Sequence, residues 1–276
     1  MKRRFLLSVR AALAGLLVFC CSARTLPAEN ILFIGNSFTY GGGDGAVLTY
    51  GGVPKLVEAI AASKGKAAST RMVTTGGKDW GFHLGNPATD AALQGKPWDG
   101  VVLQDYSTKP THAGNVDEFM KNGRLFYDRI ARESPHAQIV LYETWAYDSR
   151  HAIFAAAPSP KQFANPDEMT GELDKNYEAL GDALRALDPH RQVLVARVGM
   201  AFARCVRENP DINLYATDFK HPDRQGSYLA ALVIYATLFH DSSRGATGTF
   251  PGFTLDAAEA GKLQSVAQEV CPETTP

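Results

Sequence analysis

The sequence predicts a three-layer α/β/α sandwich built on a parallel sheet of about five strands. Three observations carry that expectation. Short β-branched runs alternate with amphipathic stretches long enough to be crossover helices, which is the grammar of repeated βαβ units. The runs are continuous apolar segments, as strands covered on both faces require. The composition, 45% apolar and 21% charged over 276 residues, is that of a soluble globular domain with loop insertions; it excludes wholesale disorder and fibrous repeats.

Residues 1–28 stand apart from this pattern. Lys2, Arg3 and Arg4 precede an apolar stretch from Phe5 to Phe19, and Cys20-Cys21-Ser22-Ala23 and Leu26-Pro27-Ala28 follow. A charged start, an apolar middle and a small-residue exit predict a secretory signal peptide, cleaved after Ala23 or Ala28, and a secreted or periplasmic protein. The run is broken by Ser8 and Arg10 and falls short of the roughly 18 residues of a membrane span. A lipoprotein acylated at Cys20 or Cys21 is the weaker alternative, because bulky Phe19 stands where a small residue is expected. Loss of residues 1–23 removes four basic residues and no acidic one, taking the formal charge from −1 to −5. It also leaves Cys205 and Cys271 as the remaining cysteines, either as a disulfide or as two buried thiols. No basic footprint for nucleic acid exists in the rest of the chain.

Residues 29–276 then read as a single domain. The run 30–34 (Asn-Ile-Leu-Phe-Ile) is a first buried strand, and apolar spacing over 54–62 predicts a helix. Residues 71–74 and 100–104 are the second and third strands, with a helix over 119–130 after them. Residues 138–142 form a fourth strand, 171–187 a helix and 192–196 a fifth strand. Helices near 200–207, 224–239 and 255–270 complete the chain. The Ala- and Pro-rich stretch 155–167 reads as an irregular surface insertion.

In an open parallel sheet, chemistry collects beyond the carboxyl ends of the strands. The polar residues in those places are Gly35-Asn36-Ser37, Thr75-Gly76-Gly77, Gln104-Asp105-Tyr106-Ser107 and Glu143-Thr144-Trp145, joined late in the chain by Asp218-Phe219-Lys220-His221. Ser37 alone reads better as a helix-capping serine than as a nucleophile. Asp218 three residues before His221 is what a serine nucleophile needs: a base, and a carboxylate that fixes the tautomer of that base. Acyl transfer also needs donors for an oxyanion, and the Ser37 backbone N–H, the Gly76-Gly77 turn and the Gln104 side-chain amide are the candidates.

These blocks, Ile-Gly-Asn-Ser at 34–37, the glycine turn at 76–77, Val-Val-Leu-Gln-Asp at 101–105 and Asp-x-x-His-Pro at 218–222, resemble in order the four blocks of the SGNH hydrolases, the GDSL-type esterases and lipases. The resemblance covers roughly residues 29–240. It implies a flavodoxin-like sheet and serine ester hydrolysis with no metal or cofactor. Position by position it implies Ser37 as nucleophile, His221 as base and Asp218 as its orienting acid. Ser37 and Gly77 would be backbone oxyanion donors, with Gly76 as a register alternative, and Gln104 the side-chain donor. Two places depart from the family pattern. Asn36 stands where Asp is usual, and Gln104 follows Leu103 where the family has Asn after Gly, so its amide sits one methylene further out.

Asn36, Trp80, Tyr106 and Trp145 follow strands and are candidates to line the substrate site; aromatic faces suit sugar rings. His83, His112 and His151 lie in loops that could reach the same rim, whereas His136 and His190 precede strands and belong to the opposite edge. The Gly-rich segment 40–45 reads as a mobile lid beside Ser37. The expected partner is a small-molecule or carbohydrate ester, extending to short-acyl (acetyl) esters of carbohydrates. A non-catalytic carbohydrate-binding or envelope-assembly protein on the same fold, and an acyltransferase using the same triad, are the alternatives.

Overall fold

The computed structural model describes residues 28–155 and 159–271. Apart from Ala28, the expected signal peptide lies outside the described residues. Strand β1 (Glu29–Gly35) leads into a single helical turn, α1 (Ser37–Tyr40), then α2 (Gly45–Tyr50) and α3 (Gly52–Ser63). Next come β2 (Ala68–Thr74), α4 (Trp80–Leu84), α5 (Pro87–Gly95), β3 (Gly100–Leu103), α6 (Val116–Glu133) and β4 (Gln138–Tyr142). The chain continues through α7 (Pro166–Arg185), β5 (Val193–Ala196), α8 (Val198–Glu208) and α9 (Arg224–Phe239). A small hairpin, β6 (Thr249–Phe250) and β7 (Phe253–Thr254), precedes α10 (Ala257–Val270).

The first five strands form one parallel sheet in the order β2-β1-β3-β4-β5. β1 is flanked by β2 and β3, and Ile31, Leu32, Phe33 and Ile34 are all buried, which explains why the run is apolar without alternation. Helices α3, α9 and α10 pack on one another on one side, while α4, α5, α6 and α7 form a second layer. α9 is buried on nearly every side from Gly226 to Ala236 because it lies between the sheet and α3 and α10. Its two tyrosines keep their hydroxyls partnered: Tyr228 accepts from Gln264 Nε2 at 2.9 Å, and Tyr235 donates to Asp241 at 2.6 Å. The topology puts the carboxyl ends of all five strands on one rim, the sandwich that periodicity predicts.

Element boundaries move for local reasons. α6 and α7 begin three and five residues before the apolar spacing does, because Asn115 and Asn165 cap them and Pro166 opens α7. α2, α4, α5 and the β6–β7 hairpin are absent from the sequence expectation; each is too short to show a period. Between 159 and 165 the chain carries no helix or strand, consistent with the irregular insertion. Cys205 and Cys271 are free thiols, and burial pushes Cys205 up to about 12, an inert core thiol. Among the described residues no helix is long and apolar enough to cross a membrane.

Phe33 tests the interior position of β1. Phe33→Ala is expected to lower the unfolding free energy by about 3–5 kcal/mol in urea titration. A loss below about 1 kcal/mol would contradict an interior strand buried on both faces.

Candidate active site

Gly35 ends β1 at the rim, and the chain turns at Asn36 into the one-turn helix α1 that opens with Ser37. The Asn36 carboxamide holds this turn twice. Its oxygen accepts from Phe38 N at 3.2 Å, and its nitrogen donates to the Lys78 carbonyl at 2.9 Å, which ties the serine turn to the glycine loop after β2. Asn36 is buried and acts on the backbone; it does not line a pocket.

His221 arrives from a loop 184 residues later, with Nε2 2.8 Å from Ser37 Oγ. Its Nδ1 lies 2.5 Å from Asp218 Oδ2. Asp218 Oδ1 in turn accepts the backbone N–H groups of Lys220 (3.2 Å) and His221 (3.0 Å). Partial burial opposes ionisation of Asp218, but the hydrogen bonds from the His221 ring and backbone and from Lys220 outweigh it, so its carboxyl titrates below the usual value. The turn needs Phe219 at φ 64, a left-handed conformation that a bulky residue rarely adopts. It is held from outside. Asp148 N donates to the Phe219 carbonyl at 2.9 Å, the Arg150 guanidinium sits 4.5 Å from the Phe219 ring centroid, and Trp145 Nε1 donates to the Lys220 carbonyl at 3.0 Å.

Trp145 is therefore a strut and not a pocket wall. It is fully buried, stacked between Phe38 (4.4 Å between centroids) and Phe202 (4.2 Å), and Phe38 meets the His221 ring edge-on at 5.4 Å. Trp80 is also fully buried, stacked on Phe119 at 5.1 Å. Neither is available to substrate, contrary to the expectation, because each indole fills the core beneath its loop. Tyr106 is the one proposed lining residue that is exposed. With Gly77, Lys78, Phe82, Lys109 and Asn115 it borders a groove of 510 Å³.

Gly77 adopts φ +69 in the turn that Lys78 N closes on the Thr75 carbonyl at 3.2 Å, and nothing lies within 4 Å of where a Cβ would project. Gly76 instead packs against Tyr40, whose hydroxyl would be 2.8 Å from such a Cβ. Gly77 is thus the glycine that opens on the groove. Among the described residues neither the Ser37 nor the Gly77 backbone N–H has a hydrogen-bond partner.

Gln104 departs from the sequence expectation. It is buried, and its side-chain oxygen accepts from Asn36 N and Thr39 Oγ1, both at 2.9 Å, while its amide nitrogen donates to the Asp105 carbonyl. A backbone N–H can only donate, so the amide oxygen faces Asn36, while the amide nitrogen faces the Asp105 carbonyl. The extra methylene carries the amide past the rim and into the turn. The expected lid also differs. A Cβ on Gly43 would lie 2.2 Å from the Pro222 carbonyl and 3.0 Å from His221 Cβ, so this segment is packed against the histidine loop.

The three loop histidines that could have reached the rim are bound to other partners. His83 is buried with Nε2 2.8 Å from the Gly35 carbonyl. His112 pairs with Glu172 at 2.6 Å, and His151 caps the 3₁₀ turn Ala152–Phe154. His136 and His190 lie beside the starts of β4 and β5, away from the rim. Among the described residues no group of three or more His, Cys, Asp or Glu side chains could hold a metal ion.

No sequence-family model matches the chain, and no curated protein does. Solved structures match it well. A protein from Slackia heliotrinireducens assigned to the SGNH hydrolases is 25% identical with a TM-score of 0.57, over 77% of this chain and all of that one. The chain has the SGNH hydrolase fold. A DUF4886 family protein from Bacteroides uniformis is 16% identical with a TM-score of 0.66, over 91% of this chain and 98% of that one. A variant of an acetyl-xylooligosaccharide esterase from Geobacillus is 14% identical with a TM-score of 0.52, over 78% and 96%. At these last two identities the likeness is one of fold.

Within this SGNH fold Asp105, which the sequence places among the polar residues after the third strand without a settled role, acts on the backbone. It is buried, and its Oδ1 accepts from Trp80 N (2.8 Å) and Tyr106 N (2.7 Å), which joins the start of α4 to the loop after β3. Its only sequence signal is its place after a buried strand. Burial outweighs those two hydrogen bonds and pushes its carboxyl up from 3.8 to about 7. The folded protein therefore holds a proton that the unfolded chain releases, and stability falls as pH rises from 3.8 towards about 7. Asp105→Asn keeps the accepting oxygen and abolishes the ionisation. Its Tm relative to the parent is expected to climb between pH 4 and pH 7; a pH-independent difference would contradict the assignment.

Proposed function

We propose that this chain is a serine esterase that is exported and acts on short-acyl esters of carbohydrates. The observation that carries the reading is the unbroken line Asp218–His221–Ser37, with contacts of 2.5 and 2.8 Å. In this reading Ser37 Oγ attacks the ester carbonyl and His221 Nε2 takes its proton, while Asp218 holds Nδ1–H and balances the imidazolium. The carbonyl oxygen becomes an oxyanion facing the Ser37 and Gly77 N–H groups. Collapse breaks the bond to the alcohol oxygen, which leaves with the proton from His221. Water then repeats the sequence on the acyl-serine and releases the acid.

Two features support a small acyl group on a sugar. Gly42 is so close to the nucleophile that a Cβ there would sit 3.0 Å from both Ser37 Cβ and Tyr40 Cε2, so the Gly42 backbone crowds the serine on that side. The adjoining groove carries exposed Phe82 and Tyr106, the two aromatic members among the large exposed hydrophobic residues. Neighbours of this fold include a carbohydrate esterase of family 2 and an acetyl-xylooligosaccharide esterase. The charged and apolar start of the chain supports the export part of the reading.

The test is turnover of p-nitrophenyl acetate, butyrate and octanoate by the parent and by Ser37→Ala. Acetate is expected to be the best of the three, and Ser37→Ala to lose about 10³-fold or more in kcat. Equal turnover by the two proteins would exclude the mechanism, and a preference for octanoate would exclude the short-acyl reading.

A further inference from the structure

We infer that Gln104 and His83 are positioning residues that clamp the Gly35–Asn36 peptide unit, one unit ahead of the Asn36–Ser37 peptide that carries the Ser37 N–H, so that the oxyanion is held by backbone N–H groups without the Gln104 amide. This rests on the esterase reading above. The Gly35–Asn36 peptide is gripped from both ends by side chains from two elements, Gln104 directly after β3 and His83 on α4. On the N–H side, Asn36 N donates to Gln104 Oε1 at 2.9 Å. On the carbonyl side, Gly35 O is 2.8 Å from His83 Nε2, and Thr75 N also donates to it at 3.2 Å. A third contact, Thr39 Oγ1 to the same Gln104 oxygen at 2.9 Å, ties the far end of α1 to the clamp.

The glycine at 35 is what permits this. A Cβ there would lie 2.4 Å from Thr39 Oγ1 and 2.7 Å from Gln104 Oε1, so any side chain would push the amide out of the turn. The two clamping side chains are themselves fixed. Gln104 and His83 are both buried, the Gln104 amide nitrogen donates to the Asp105 carbonyl, and His83 Nδ1 is 3.3 Å from Thr89 Oγ1. Burial holds the His83 imidazole below its ordinary pKa, so it is neutral and donates one N–H to Gly35.

The ψ of Asn36 and the direction of the Ser37 N–H follow from the plane of this peptide and the one after it. A rotation of the clamped plane would move Ser37 Oγ off His221 and turn the oxyanion donor away together. Displacements of about 1 Å in such a site cost on the order of 10²-fold in rate. The departure at position 104 thus gives the side chain a different role. Its greater length lets it reach the turn as an acceptor, where a rim donor was expected.

The experiment measures kcat, KM and Tm with p-nitrophenyl acetate for the parent, Gln104→Leu, Gln104→Glu, Thr39→Val and His83→Phe. Gln104→Leu and His83→Phe are expected to lose about 30- to 100-fold in kcat with KM within about threefold. Thr39→Val is expected to lose about three- to tenfold. Gln104→Glu keeps the accepting oxygens and is expected to stay within about tenfold of the parent. A Gln104→Glu protein with parental Tm but as inactive as Gln104→Leu, beside a Thr39→Val protein with parental kcat, would make the amide an oxyanion donor and overturn the clamp. If Gln104→Glu does not fold, His83→Phe decides, because the His83 ring bonds to the Gly35 carbonyl and Thr89 and to no candidate oxyanion donor: a His83→Phe protein with parental Tm and parental kcat would overturn the clamp. A parent protein without esterase turnover would instead overturn the esterase reading, and the clamp with it.

Discussion

The hydrogen bond from Ser37 Oγ to His221 Nε2 joins two residues 184 positions apart, and nearly every other feature of the rim is arranged so that it can form. Its first requirement is topological. β1 lies inside a parallel sheet, so the residue after it emerges between the loops that follow β2 and β3. Its second requirement is that the Asp218–His221 turn, which contains a left-handed Phe219, be held by the loop after β4. Trp145 serves both: it donates to the Lys220 carbonyl and stacks on Phe38, the residue next to Ser37. A short range of aromatic packing thus sets the relative position of two loops that share no covalent neighbour.

The rim is built from buried polar side chains used on backbone groups. Asn36, His83, Gln104 and Asp105 each satisfy peptide N–H or C=O groups at the strand ends, where the sheet ladder stops and those groups would otherwise be orphaned. Such networks fix one geometry and make substitution costly, which suits a site that must not move by an ångström. Behind them Glu143 is fully buried, neither of its carboxyl oxygens has a partner among the described residues, and burial together with nearby Asp174 raises its pKa well above the ordinary value.

Much of this was legible in the sequence. The five strands and long helices follow from apolar runs such as Ile31–Ile34, because a strand covered on both faces has no choice of residue type. Ser37, Asp218 and His221, which the structure brings into hydrogen-bond contact, were legible as the residue types a nucleophile, base and orienting acid require, whereas Gly77 was one of two adjacent glycines whose register the sequence left open. The direction of a side chain was not. Gln104, Trp80 and Trp145 occupy the expected rim positions yet point inward, since an amide one methylene longer and an indole beside a core gap take partners that only tertiary packing reveals. His83 was placed in a rim loop, but its role depends on the Gly35 carbonyl, 48 residues away in sequence.

The most direct measurement is a crystal structure of the protein after reaction with a methyl fluorophosphonate. The expected result is phosphorus bonded to Ser37 Oγ, with the phosphoryl oxygen within about 3 Å of the Ser37 and Gly77 nitrogens and the Gln104 amide still facing Asn36. Phosphorus attached to another side chain, or an oxygen turned towards the solvent with His221 displaced from Ser37, would contradict the account.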